Sequence, residues 1–92
     1  MRISKDIVKN IFLDILEGRT TREAADRWAY SLIRVSEDQE IVYDPPEEKD
    51  KIWSSIMYLY GIDEKIGPHE EYLFSEEDVR TALETLLEDK KK

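Results

Sequence analysis

The chain has 92 residues, a formal net charge of −8, 40% hydrophobic and 39% charged residues. That length suits one domain rather than two, and apolar residues that are patterned rather than scattered favour a folded chain over a disordered one. With no cysteine, disulfides and thiolate metal sites are excluded. The three glycines, Gly18, Gly61 and Gly67, form no phosphate-binding loop.

Ser4 is placed to cap a first helix, with Ile3 and Val8 at the positions of a hydrophobic staple. Ile7, Val8, Ile11, Phe12, Ile15 and Leu16 recur at helical spacing, and Gly18 supplies the left-handed residue that ends the stripe. Thr20 and Glu23 form a capping box for a second helix whose stripe is Ala24, Ala25, Trp28, Ala29, Leu32 and Ile33. Only a short turn around Gly18-Arg19 separates the two, which predicts an antiparallel helical hairpin. Residues 36–43 read as a loop, and Ile41-Val42-Tyr43 within it is β-prone but isolated.

Asp44-Pro45-Pro46-Glu47 reads as a helix start, with Asp44 as cap and Glu47 completing the box. The third helix turns Ile52, Trp53, Ile56, Leu59 and Tyr60 inward and ends at Gly61, with Ile62 placed for a Schellman-type contact. Residues 62–74 have no helical period and read as a second loop. Phe74, Ser75 and Val79 then provide staple and cap for a last helix, with acids in its first turn and Val79, Ala82, Leu83, Leu86 and Leu87 as its stripe. The expectation is an all-α fold: one compact four-helix domain over 1–92, helical at about 4–17, 21–35, 45–60 and 76–89, with an N-terminal helical hairpin and two further helices joined by acidic loops.

Charge is unevenly spread. Residues 36–50 carry seven acids and one base, residues 62–78 again seven acids and one base, and the remainder is mildly basic. Phosphate neutralisation needs a positive surface, so nucleic acid is not the expected partner. Anionic membranes are disfavoured for the same reason. No apolar run approaches the roughly 20 residues that span a bilayer. Met1-Arg2-Ile3-Ser4-Lys5-Asp6 leads into no apolar signal core, so the cytoplasm is the expected location.

Chemistry has little to work with. His69 is the only histidine, and it follows Pro68 in an acidic loop. It reads as a solvated residue before it reads as a base or pH sensor. Its neighbours Glu70 and Glu71 would raise its pKa, which suits no base at neutral pH. Glu76, Glu77 and Asp78 are explained by the helix dipole alone. Asp63, Lys65 and Gly67 lack the ligand pattern of a calcium loop. Catalytic residues, metal ligands and cofactors are therefore not expected.

The aromatics carry more. Trp28, Trp53 and Tyr60 lie on helix stripes and read as core, whereas Tyr43 and Tyr72 sit among loop acids. Tyrosine supplies area and a hydroxyl, and flanking carboxylates steer and pair with lysine or arginine, as a surface for a basic protein requires. Glu37, Asp38, Glu40, Tyr43, Glu70, Glu71 and Tyr72 are the candidate partner-binding residues. The structural alternative is that both rings cover the core while the acids keep the protein soluble.

Three strings, Thr21-Arg22-Glu23-Ala24-Ala25-Asp26-Arg27-Trp28-Ala29, Ile52-Trp53 through Leu59-Tyr60-Gly61-Ile62-Asp63, and Glu71-Tyr72-Leu73-Phe74-Ser75-Glu76-Glu77-Asp78, together resemble small uncharacterised bacterial helical proteins, some of them similar to immunity proteins of toxin systems. A looser likeness is to nuclease-colicin immunity proteins, which are also short, acidic and four-helical, with Ile41-Val42-Tyr43-Asp44-Pro45 in the place of their tyrosine-bearing segment. The resemblance implies no catalytic residues and a small protein that binds another protein.

The leading expectation is thus an immunity-like binder whose acidic surface docks on a basic partner such as a nuclease toxin. The alternative is a structural or regulatory module, a monomer or weak homodimer, acting through apolar contacts of Leu13, Met57 and Tyr58 at the edges of their stripes. A nucleic-acid mimic shares the charge evidence and predicts carboxylates spaced like phosphates.

Overall fold

The computed structural model describes residues 1–66 and 71–88. In chain order these form β1 (Arg2–Ser4), α1 (Lys5–Leu16), α2 (Arg22–Asp38), β2 (Val42–Asp44), a single 3-10 turn (Pro46–Glu48), α3 (Lys49–Leu59), β3 (Lys65–Ile66), β4 (Glu71–Tyr72) and α4 (Glu76–Leu86). The chain is mostly helical, with four α-helices, but it is not purely so: β1 pairs parallel with β2, and β3 antiparallel with β4.

The helix starts follow local chemistry. Ser4 caps α1 by accepting from the Ile7 N–H at 3.1 Å. Ser75 and Asp78 close the capping box of α4, each side chain accepting from the other's backbone N–H at 3.0 Å. Gly18 and Gly61 hold the left-handed φ values of 76° and 92° that the helix ends require. At α2 the cap is Thr21 rather than Thr20: its hydroxyl accepts from Ala24 N–H at 3.0 Å, which leaves Glu23 out of any box.

The middle of the chain departs from expectation. α2 runs on to Asp38, so the first three residues of the expected 36–43 loop are helical. The rest feeds β2, because a backbone partner for Val42–Asp44 arrives from the other end of the chain: Ile3 lies opposite Tyr43, and the Val42 N–H donates to the Met1 carbonyl at 2.8 Å. Asp44 caps no helix. Its residue lies opposite Ser4 in the ladder, its carboxylate takes Arg2 at 3.0 Å, and its bond to Pro45 is cis. The chain enters α3 through the 3-10 turn, and neither that turn nor α3 has a side-chain cap.

The core is one cluster built from every helix. Val8, Phe12, Ile52, Ile56, Leu59, Ile62 and Val79 are fully buried. Burial follows the predicted stripes with exceptions. Ile7 and Tyr60 face solvent, and Trp28 and Trp53 are half-buried against the core. Tyr58, expected at a surface edge, packs inside against Phe12 and Phe74, at 5.9 and 4.8 Å between ring centres.

α1 lies mainly on α4, and α2 on α3, so the expected close α1–α2 hairpin is not the principal packing. α3 runs antiparallel to α2. Tyr60 stacks on Tyr30 and the Gly61 N–H donates to Asp26 at 2.7 Å near one end, while Lys49 and Trp53 share a cleft with Ser36 and Gln39 at the other. No helix among the described residues is long and apolar enough to cross a membrane.

Candidate functional site

The candidate residues divide between the two ends of α2. Glu37 and Asp38 close its last turn, with Glu40 and Tyr43 just beyond. Tyr72 contacts Glu23, in the first turn of the same helix. Ser36 lies thirteen residue steps along the helix from Glu23, about 20 Å at 1.5 Å per step. Glu70 and His69 lie outside the described residues.

The Tyr72 end is satisfied internally. The Tyr72 hydroxyl donates to the Glu23 carboxylate at 2.9 Å. The Arg22 guanidinium lies over its ring at 4.4 Å and the Lys65 ammonium at 5.4 Å. Arg22 also donates to the Phe74 carbonyl at 2.6 Å, tying the start of α2 to the entry of α4. The hydrogen bond to Glu23 raises the Tyr72 phenol above its ordinary pKa. Glu23 is held below the usual glutamate value, first by its own backbone N–H and then by Tyr72. Tyr72 therefore fastens the β3–β4 pair to α2, and of this half of the expected surface only Glu71 stands exposed without an ion pair among the described residues.

The Tyr43 end is open. β2 holds Tyr43 on the same side of the strand as the buried Ile41, and burial pushes its phenol above the ordinary value. Tyr43, Ile41 and the half-buried Trp53 line a cleft of about 370 Å³ whose polar walls are Ser36, Gln39, Glu40, Lys49 and Asp50. A smaller groove of about 270 Å³ continues along Val42 to Pro46 and shares Glu40, Ile41, Tyr43 and Lys49. No cation pairs with Asp38, Glu40 or Asp50 among the described residues. Glu37 meets Arg34 at 3.6 Å, but both side chains are well exposed, and such pairs hold weakly.

Two helix ends break the usual rule at this cleft. Glu37 and Asp38 occupy the negative end of α2, which disfavours carboxylates, and no base offsets them in the last turn. Lys49 opens α3, where the positive end disfavours a cation. Its ammonium makes no ion pair among the described residues and lies 5.9 Å from the centre of the Tyr43 ring. The sequence marked Glu37, Asp38, Glu40 and Tyr43 through their charge and composition. It passed over Lys49, Asp50 and Trp53, which reach the cleft only because α3 folds back antiparallel to α2.

Of the other acids of residues 36–50, Glu47 is exposed and two are paired within the chain. Glu48 is paired with Lys5 at 2.9 Å in a half-buried bridge, and Asp44 with Arg2. Among the described residues no group of three metal-ligating side chains comes together.

Comparison with known proteins adds one relative. The chain is similar to the uncharacterised protein YxzC of Bacillus subtilis (strain 168), 32% identical over 79 residues that cover 86% of this chain and 58% of that protein. The chain thus spans less than two thirds of its relative's length. No protein-family model and no solved structure matches it.

Proposed function

We propose that this protein is a non-enzymatic binding module, immunity-like in type, that docks the acidic Tyr43 end of α2 on a basic protein such as a nuclease toxin. One observation carries the reading: an aromatic cleft rimmed by carboxylates that the chain's own described cations leave unmatched. Tyr43 and Trp53 offer apolar area, and Asp38, Glu40 and Asp50 offer charge to lysine or arginine. Acids kept at the wrong end of a helix fit the same reading, since local rules are broken where function needs it. A chain with no cysteine and a single histidine supports a binding role over a catalytic one. The relative found is itself uncharacterised, so the immunity-like part of the reading rests on the charge and shape of this cleft.

The test is capture from a lysate of the source cell on immobilised protein. A basic protein is expected at low salt, lost at about 1 M salt, where charge is screened beyond roughly 3 Å, and lost with Tyr43→Leu plus Glu40→Lys. Capture that ignores both salt and the substitutions contradicts the reading.

A second reading, homodimerisation through apolar contacts, keeps Met57 of the three residues the sequence suggested, Leu13 being half-buried against the core. Tyr58 is interior, but Met57 is exposed on α3 one turn from Tyr60, which stacks on the equally exposed Tyr30. Light scattering at high concentration decides it: a strict monomer removes this reading.

A further inference from the structure

Among the described residues β2 is paired on one side only. Its Val42 N–H is turned toward β1, donating to the Met1 carbonyl at 2.8 Å. Backbone groups alternate along a strand, so Tyr43 turns its own N–H and carbonyl to the opposite edge. Among the described residues no strand occupies that edge. An unpaired edge is a template for another extended chain, and the Pro45-Pro46 pair that follows β2 confines it here to the Tyr43 position. Here it adjoins the Val42–Pro46 groove, which opens into the cleft between Tyr43 and Trp53.

The charge around that edge selects the occupant. Glu40 and Asp50 stand at the cleft without a cation of their own among the described residues. A cation already uses the aromatic face: the Lys49 ammonium, 5.9 Å from the Tyr43 ring centre. Guanidinium and ammonium groups are attracted to such faces, arginine more often than lysine. At the first residue of α3 the helix dipole gives Lys49 no support, so the dipole does not oppose its displacement.

We propose that the partner contributes an extended basic segment, which adds as a third strand along the free edge of β2 and places an arginine or lysine side chain over Tyr43, between Glu40 and Asp50, in place of Lys49. This rests on the reading of the cleft as a docking site for a basic protein. Main-chain bonds to Tyr43 supply the grip, and alternate side chains of the segment enter the cleft. Lys49 acts as an internal competitor that a correct partner must move.

The test uses an end-blocked octapeptide of alternating arginine and valine, titrated into the full chain by calorimetry, with two relatives N-methylated on every arginine or on every valine. In a strand, the arginine N–H groups share one edge and the valine N–H groups the other. Strand addition predicts that one methylated peptide binds like the parent and the other about tenfold more weakly, the loss of one or two main-chain bonds. Lys49→Met, an exposed substitution, is expected to tighten the parent about threefold by freeing the ring and removing a positive charge, and Tyr43→Leu to weaken it by a similar factor. Binding should also slow exchange of the Tyr43 amide. If the parent binds and salt releases it, but the two methylated peptides behave alike, or Lys49→Met weakens binding, strand addition falls and the acidic docking site stands. If the parent does not bind at low salt and no basic protein is captured from lysate, both fall.

Discussion

The two ends of α2 each hold a tyrosine among acids, and they put it to opposite uses. At the first turn, Tyr72 has its hydroxyl on Glu23 and its ring under Arg22, close to the Phe74 carbonyl that Arg22 holds. Nearby, α4 begins with a complete capping box and three acids at the end that favours them. At the last turn, Tyr43 faces an open cleft, Asp38, Glu40 and Asp50 lack partners among the described residues, and acids and a lysine sit at helix ends that disfavour them. The same residue types thus make a fastening where cations of the chain reach them and a candidate surface where they do not. Composition alone cannot separate the two cases.

The contrast can be broken first by stability. Ile62 is fully buried just before the strand that leads to Tyr72. Ile62→Ala should cost about 2–4 kcal/mol through lost burial and the cavity left, read from urea unfolding. Tyr43→Leu should change little on that scale and act on binding instead. Ser75→Ala removes the α4 cap and should cost about 1 kcal/mol. Truncating Gln39, the exposed residue just past α2 with no side-chain bond among the described residues, should stay within about 0.5 kcal/mol.

Opposite signs sharpen the contrast. Asp38→Lys places a cation at the negative end of α2 and should stabilise the fold by about 0.3–1 kcal/mol at low salt, while weakening capture of a basic partner. An acid kept only for solubility would predict the gain without the loss.

The smallest effect lies in pH. Glu23 has a lowered pKa in the folded state, so its contribution is present above the ordinary glutamate value of about 4.3 and is lost as pH falls through the lower, folded one. Tyr72 and Tyr43 have raised values, so their contributions are present below about pH 10 and are lost as pH rises through the folded values. The thermal midpoint should therefore drop at both extremes. Tyr72→Phe should shrink the acid arm without removing it, because the Glu23 backbone N–H still holds the carboxylate.

How far the sequence could be read follows from the range of each contact. The caps at Ser4 and Ser75 and the glycines at 18 and 61 act within one turn, and all four are found where the pattern put them. Thr20 and Thr21 are adjacent cap candidates, and with Thr21 as the cap Glu23 accepts instead from Tyr72, 49 residues away. The end of α2 carries no glycine or proline signal, so nothing local marked Asp38 as its last residue. β2 was visible only as an isolated β-prone patch because its partner, Arg2–Ser4, lies forty residues earlier. Tyr60 shares a helical stripe with Leu59 and Ile56, yet turns outward to stack on Tyr30, a contact that exists only once α2 and α3 pair. For the same reason Glu40 and Tyr43 could be nominated from sequence, but Lys49, Asp50 and Trp53 could not be joined to them.

The decisive measurement maps the amide signals of the isotopically labelled chain as the alternating arginine–valine peptide is added at low salt. An open Tyr43 end and a closed Tyr72 end predict shifts confined to Glu40–Asp44 and Lys49–Trp53, with Glu71–Tyr72 and Arg22–Glu23 unmoved. Equal shifts at both ends, or shifts centred on Tyr72, would contradict it.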